Sequence, residues 1–388
     1  MNPTGPLVPA DEQFCHQITD TFGVVGSSDL AWTEKVCAMA VARDGSLQLG
    51  FGLGKYPNRD VMDAYAGMSR GVEQITVRAS RRLSPAFEES AIGPIRYEIL
   101  EPLRSVRFLL EPNEEQPLAF DWTFTGALPC ALEERTHQRN LVGTRVSAEL
   151  VRYHQIGTAS GWIEIDGERT TMDDGSWIST RDHSWGVRYE VGQPPADVER
   201  IDPLEGLSFS MIWSPILCER ADGSRYGIFL HTVQVEGFGS TLHKVVTGSI
   251  EHEHGLHEPI LDIDLTGLAF DPSNRRLLGG TIRLRMADGS DRPLHVTVPC
   301  ATGFHLGAGL YFGYRGHFHG EFRGALHVES ERITDCSTPE QARELHQIRD
   351  TFVVVEDPVG GGVGRGNCQP IVAGPFDRYR LGAEDSFW

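Results

Sequence analysis

Residues 181–188 read RDHSWGVR, which sets two guanidiniums, a carboxylate, an imidazole, a hydroxyl and an indole into a single short run. On an extended backbone side chains alternate, so Arg181, His183 and Trp185 share one face while Asp182 and Ser184 take the other. A proton carrier beside an aromatic surface suits acid–base chemistry on an apolar molecule. In that reading His183 or Asp182 transfers the proton, tuned by burial and by Arg181 or Arg188. Trp185, with Trp177 or Trp213, shields developing positive charge through its π face, worth ~1–2 kcal/mol once desolvated. A buried Arg–Asp pair locking a strand corner would present the same residues. We expect both, with Asp182 the brace and His183 the chemistry. His183, Asp182 and Trp185 are thus the candidate catalytic set, and Trp177, Arg181, Arg188, Phe209 and Trp213 the candidate substrate contacts.

Three further stretches carry chemistry-bearing residues. Residues 311–329, YFGYRGHFHGEFRGALHVE, alternate as a strand would, which puts His317, His319 and Glu321 on one face. Two imidazoles and a carboxylate so spaced could hold a metal, although Arg315 and Arg323 beside them disfavour a cation. Residues 251–258, EHEHGLHE, precede a proline and contain a glycine, as expected of a solvated hairpin tip. The glycines at 360–366 lack the Lys-Ser/Thr ending of a phosphate loop, so a flexible loop is expected there. Gly-Xaa-Ser-Xaa-Gly is absent, so no nucleophile elbow is indicated.

The elements that position these residues are mostly strands. Asp-Gly pairs at 44–45, 166–167, 174–175, 222–223 and 288–289 lie between alternating or β-branched runs, and Asp-Gly supplies the positive φ of a tight hairpin. Convincing helical signals are short, the best being 338–346, with a Thr cap, an early Pro and an early Glu. Residues 36–43 and 209–221 each run into an Asp-Gly-Ser turn and then a strand-like segment, a faint internal echo. Residues 192–197, GQPPAD, have a linker's composition. We therefore expect an all-β protein of two antiparallel units at 1–191 and 207–388, joined by a linker at 192–206. Closing each unit into a barrel removes exposed sheet edges and leaves an interior suited to an apolar ligand.

Bulk composition narrows the partners. The 388 residues are 40% hydrophobic and 23% charged, enough to bury a core. A formal charge of −19 argues against nucleic acid and against an anionic membrane face. No stretch approaches the roughly 20 apolar residues of a membrane helix. The amino-terminal MNPTGPLVPADEQF shows no basic region followed by an apolar run, and the seven cysteines are scattered without C-x-x-C, so reduced thiols in a cytoplasmic protein are expected.

The stretch YHQIGTASGWIEIDGERTTMDDGSWISTRDHSWGVR at 153–188 resembles the segment before the domain junction in the carotenoid 1,2-hydratase (hydroxyneurosporene synthase) and AttH-like superfamily. The specific parts are RDHSWGxR and the preceding run from Gly161 to Glu168. The resemblance implies two lipocalin-like, calycin-type β-barrel units with few short helices. It also implies that the His-x-Trp pair regarded as functional in those hydratases falls on His183 and Trp185. The Tyr and Asp that complete that family's proposed acid site on a following strand are missing here, where 207–213 reads LSFSMIW. The expected function is a cofactor-independent acid–base enzyme, a hydratase, isomerase or cyclase, acting on a hydrophobic isoprenoid or polyketide-like small molecule. A non-catalytic carrier of a hydrophobic metabolite and a metal enzyme using His317, His319 and Glu321 are the alternatives.

Overall fold

The structure is a computed structural model that describes residues 4–14, 16, 21, 23–139, 145–189, 191–198, 206–345 and 348–383. It is nearly all β, built from two large antiparallel sheets. The first runs from Leu326–Ile333 at one edge through Glu73–Arg82, Val61–Arg70, Leu47–Tyr56, Trp32–Ala42, Trp177–Val187, Val146–Ile165 and Leu118–Gly126 to the short strand Ala91–Ile92 at the other. It curls round a core containing Phe51, Met62, Phe108, Trp122 and Phe124. The second closes into a nearly complete barrel because Asp291–Thr297 pairs with Arg349–Asp357, joining the two ends of the strand order. Its interior is filled by Ile212, Ile228, Leu284, Val353 and others.

Every Asp-Gly pair falls in a turn between strands. At Asp166-Gly167 both residues have positive φ, 53° and 84°, as a two-residue hairpin turn requires. Pro339–Glu344 is a helix whose Thr338 hydroxyl accepts from the Gln341 N–H at 3.2 Å, while His346 lies outside the described residues. Residues 252–256 form the expected turn between Ser240–Glu251 and His257–Phe270. Of the seven cysteines, the six described are free and Cys15 lies outside the described residues. Among the described residues no helix is long and apolar enough to cross a membrane.

Two expectations are corrected. Residues 362–366 are not a loop: Gly362–Ala373 is a strand laid between Ser208–Arg220 and Arg349–Asp357. Its glycines serve packing, since a Cβ on Gly366 would come within 2.2 Å of the Pro215 carbonyl oxygen. Nor do residues 311–325 form an alternating strand. Left-handed backbone at Phe312, Gly313, Arg315, Gly316, Gly320 and Gly324 turns the chain repeatedly, and a strand begins only at Leu326. His317, His319 and Glu321 therefore do not share a face. His317 Nδ1 and Glu321 Oε2 pair with each other at 2.9 Å, whereas His319 turns inward to Lys35, so the three residues of the alternative metal reading do not converge. The linker expected at 192–206 is described only in part, with 199–205 outside the described residues.

A candidate active site on the outer face of the central strand

Trp177–Val187 lies between Trp32–Ala42 and Val146–Ile165, so each of its side chains has a neighbour on both sides. Alternation sends Arg181, His183 and Trp185 into the curl of the first sheet. Asp182 and Ser184 point outward, level with Cys37 and Lys35 on one side and His154 and Arg152 on the other.

The inward face is a closed polar cluster. A 3-10 turn at Pro9–Glu12 delivers Glu12, fully buried, to Arg181, whose Nη1 and Nη2 donate to its two oxygens at 2.6 and 2.8 Å. The Tyr97 and Tyr153 hydroxyls and the Leu103 N–H also donate to Glu12. Burial opposes charge on Glu12, but Arg181 and His183 outweigh it and hold the carboxyl well below its usual range. His183, with 0% exposure, lies 2.9 Å from Glu34 through Nε2 and 3.1 Å from the Tyr153 hydroxyl through Nδ1. Burial works against its protonated form too, yet Glu12 and Glu34 push the ring up to about 9. Trp185 stacks on His16 at 3.6 Å.

The outward face is different in kind. Among the described residues Asp182 has no ion pair. Its only hydrogen bond is a long one from the Ser184 hydroxyl at 3.4 Å, and burial pushes its carboxyl up despite the charges of Arg152 and Arg188 nearby. Arg152 is committed to Glu133 at 2.8 Å, and Arg188 donates to Ser184. The buried Arg–carboxylate brace expected at Asp182 is thus supplied one residue away, by Arg181 and Glu12. Beside Asp182 the Cys37 thiol meets the Tyr311 hydroxyl at 3.0 Å. Lys35 Nζ sits 3.0 Å from His319 Nε2 and 4.0 Å above the Tyr311 ring, and burial lowers its affinity for a proton. Asp63 closes this group, accepting from Tyr56 at 3.0 Å and from the Gly320 N–H at 2.7 Å.

The second barrel faces this surface with Phe209, Met211 and Trp213, alternate residues of Ser208–Arg220 turned away from the barrel core. Asp350, gripped by Asn367 and Gln369 at 2.7 Å each, is pushed up to about 6 by burial and feels the charge of Asp182. One side of the junction is clamped by His154, which reaches Glu133 of its own sheet at 3.2 Å and Glu251 of the second barrel at 2.8 Å. Trp213 Nε1 donates to the same Glu133 at 3.1 Å. Asp182, Cys37, Tyr311, Phe209 and Met211 are each partly exposed, so this side of the junction between the sheets reaches solvent.

Of the residues singled out in the sequence, Asp182 and Arg188 lie on the outward side of Trp177–Val187, and Phe209 and Trp213 on the side of the second barrel turned away from its core. Arg181, His183 and Trp185 lie behind the strand, and Trp177 is buried in the first core. Sequence reading missed Glu12, Glu34, Lys35, Cys37, Tyr153, Asp63, Tyr311 and Asp350. The usable signal was EK at 34–35, a charged pair inside an otherwise strand-like apolar run.

The fold defines a two-sheet antiparallel β protein of lipocalin-like type. The chain belongs to the family of unknown function DUF8625, which it matches over residues 7–380. Comparison with curated proteins gave no match. Among solved structures it is similar to an AttH-like protein of Nitrosomonas europaea, with TM-score 0.50 and 12% identity over 87% of this chain and 91% of that one. That likeness is one of fold. Kievitone hydratase from Nectria haematococca aligns at TM-score 0.40 and 9% identity, covering 92% and 97% of the two chains. CghA aligns at TM-score 0.44 and 9% identity, covering 96% and 98%.

Proposed function

We propose that the chain is an acid–base enzyme of hydratase, isomerase or cyclase type that works on a hydrophobic small molecule in the crevice between its two sheets. The observation that carries this reading is Asp182: a desolvated, partly exposed carboxyl without an ion pair among the described residues, level with Cys37 and close enough for its charge to act on Asp350. A carboxyl whose hold on its proton is raised by burial can give that proton to an alkene or carbonyl. The cationic centre so formed lies among Tyr311, Trp213 and Phe209, whose π faces stabilise it. Addition of water, ring closure, or loss of a proton from a neighbouring carbon completes a hydration, cyclisation or isomerisation, with Asp350 in this reading the carboxylate that receives the released proton.

Of the catalytic set expected from sequence, this reading keeps Asp182. It moves His183 and Trp185 to the supporting cluster behind the strand, where His183 is hydrogen bonded through both nitrogens and has no exposure. Isoprenoid or polyketide-like compounds would pack against Phe209, Met211 and Tyr311, which belong to one apolar cluster. The test is to identify by mass spectrometry the organic molecule that co-purifies with the chain and to follow its conversion by the wild type and by Asp182→Asn. Loss of conversion in a folded Asp182→Asn variant supports the reading. Tight binding without conversion by the wild type would make the chain a carrier instead.

A further inference from the structure

Two imidazoles and a carboxylate converge on the inward face, away from the crevice. His16 from the amino-terminal segment, Glu34 of Trp32–Ala42 and His183 of Trp177–Val187 bring one ligand-type atom each to within 4.8 Å of the others. His183 Nε2 approaches Glu34 Oε1 at 2.9 Å, and His16 Nδ1 contacts the same oxygen more closely. The rear nitrogen of each ring is also held. His16 Nε2 lies 3.2 Å from Asp11 Oδ1, and His183 Nδ1 lies 3.1 Å from the Tyr153 hydroxyl, whose own proton goes to Glu12.

A ring held from behind by an acceptor keeps its rear proton and turns a free lone pair forward, which is the arrangement that orients histidine ligands in metal sites. Trp185, stacked on His16, fixes the plane of that ring. The nearby charge of Arg181 is taken up by both oxygens of Glu12.

We propose that His16, Glu34 and His183 form a binding site for a divalent transition metal of the Zn²⁺ class, which ties the amino-terminal segment to the two strands. Two imidazole nitrogens and a carboxylate oxygen suit that ion by donor type and by number. The site is separate from the acid–base reading, because Asp182 faces the opposite side of the strand.

The full-length protein, stripped with a chelator and dialysed, is titrated with Zn²⁺ alone, and metal content is measured by elemental analysis. Co²⁺ absorption then reports the ligand environment. One Zn²⁺ per chain is expected. Asp11→Asn should weaken binding roughly 10–100-fold, as loss of an orienting partner does, and His16→Ala should weaken it more. Both changes lie on the amino-terminal segment rather than in a strand, and circular dichroism checks that each variant is folded. Failure of the intact chain to take up Zn²⁺ stoichiometrically, or unchanged affinity in both variants, overturns the proposal.

Discussion

Asp182 and His183 are adjacent in the chain, yet their side chains meet different worlds. His183 stands unexposed in a network of carboxylates and hydroxyls, whereas Asp182 is partly exposed and its side chain has one long hydrogen bond among the described residues. Stability and chemistry should divide accordingly. Glu12→Ala strands the Arg181 guanidinium in the interior and should cost about 3–5 kcal/mol, the usual penalty for breaking a buried pair from one side, measured by denaturant unfolding. Asp182→Asn breaks no ion pair, so its unfolding free energy should stay within about 1 kcal/mol of wild type while turnover falls by roughly 10²–10⁴-fold, the range supplied by a general acid. The octapeptide's density of functional groups and its alternation of faces were legible from its own residues. The partners were not. Glu12 lies far from Arg181 in sequence, and nothing local marks it as the residue that claims that guanidinium.

At the scale of elements, the Asp-Gly turns at 44–45, 166–167, 222–223 and 288–289 were readable because the positive φ of their glycines is a local demand that the residue type itself answers. The helix at Pro339–Glu344 was readable for the same reason, through its Thr cap. Where sequence reading failed, the deciding contact was distant. Glycine-rich 360–366 has a loop's composition, but the close approach of Ser208–Arg220 selects those glycines for a strand. Residues 311–325 have a strand's periodicity, but left-handed positions at Phe312 and Arg315 break it. The strand account of Gly366 makes a sharp prediction. Gly366→Ala places a methyl against the Pro215 carbonyl and should destabilise the protein by about 1–3 kcal/mol, as overpacking does, with a lowered melting temperature as the readout. A mobile loop at that position would tolerate the change.

The two units expected at 1–191 and 207–388 do not keep their strands to themselves. Leu326–Ile333 returns to the first sheet and pairs with Glu73–Arg82, where Arg78 is held by Glu329 at 3.0 Å and Glu331 at 2.6 Å. We propose that the units fold as one cooperative body, so residues 1–206 expressed alone should lack the sharp unfolding transition of the full chain. The junction should also respond to pH. Burial opposes charge on His154, but Glu251 and Glu133 outweigh it and hold the ring at about 9, against ~6.5 in an unfolded chain. A raised folded value means that this stabilisation is complete below ~6.5 and is lost as pH rises through about 9, a change on the order of 3 kcal/mol. Melting temperature should therefore fall across that window, and fall less in His154→Gln. The central claim, that the crevice between the sheets is a site of proton transfer from Asp182, is tested most directly by the single-turnover rate of Asp182→Asn on the co-purifying compound. The rate should drop by about 100-fold or more with melting temperature unchanged. A folded Asp182→Asn variant that converts the compound at the wild-type rate would contradict it.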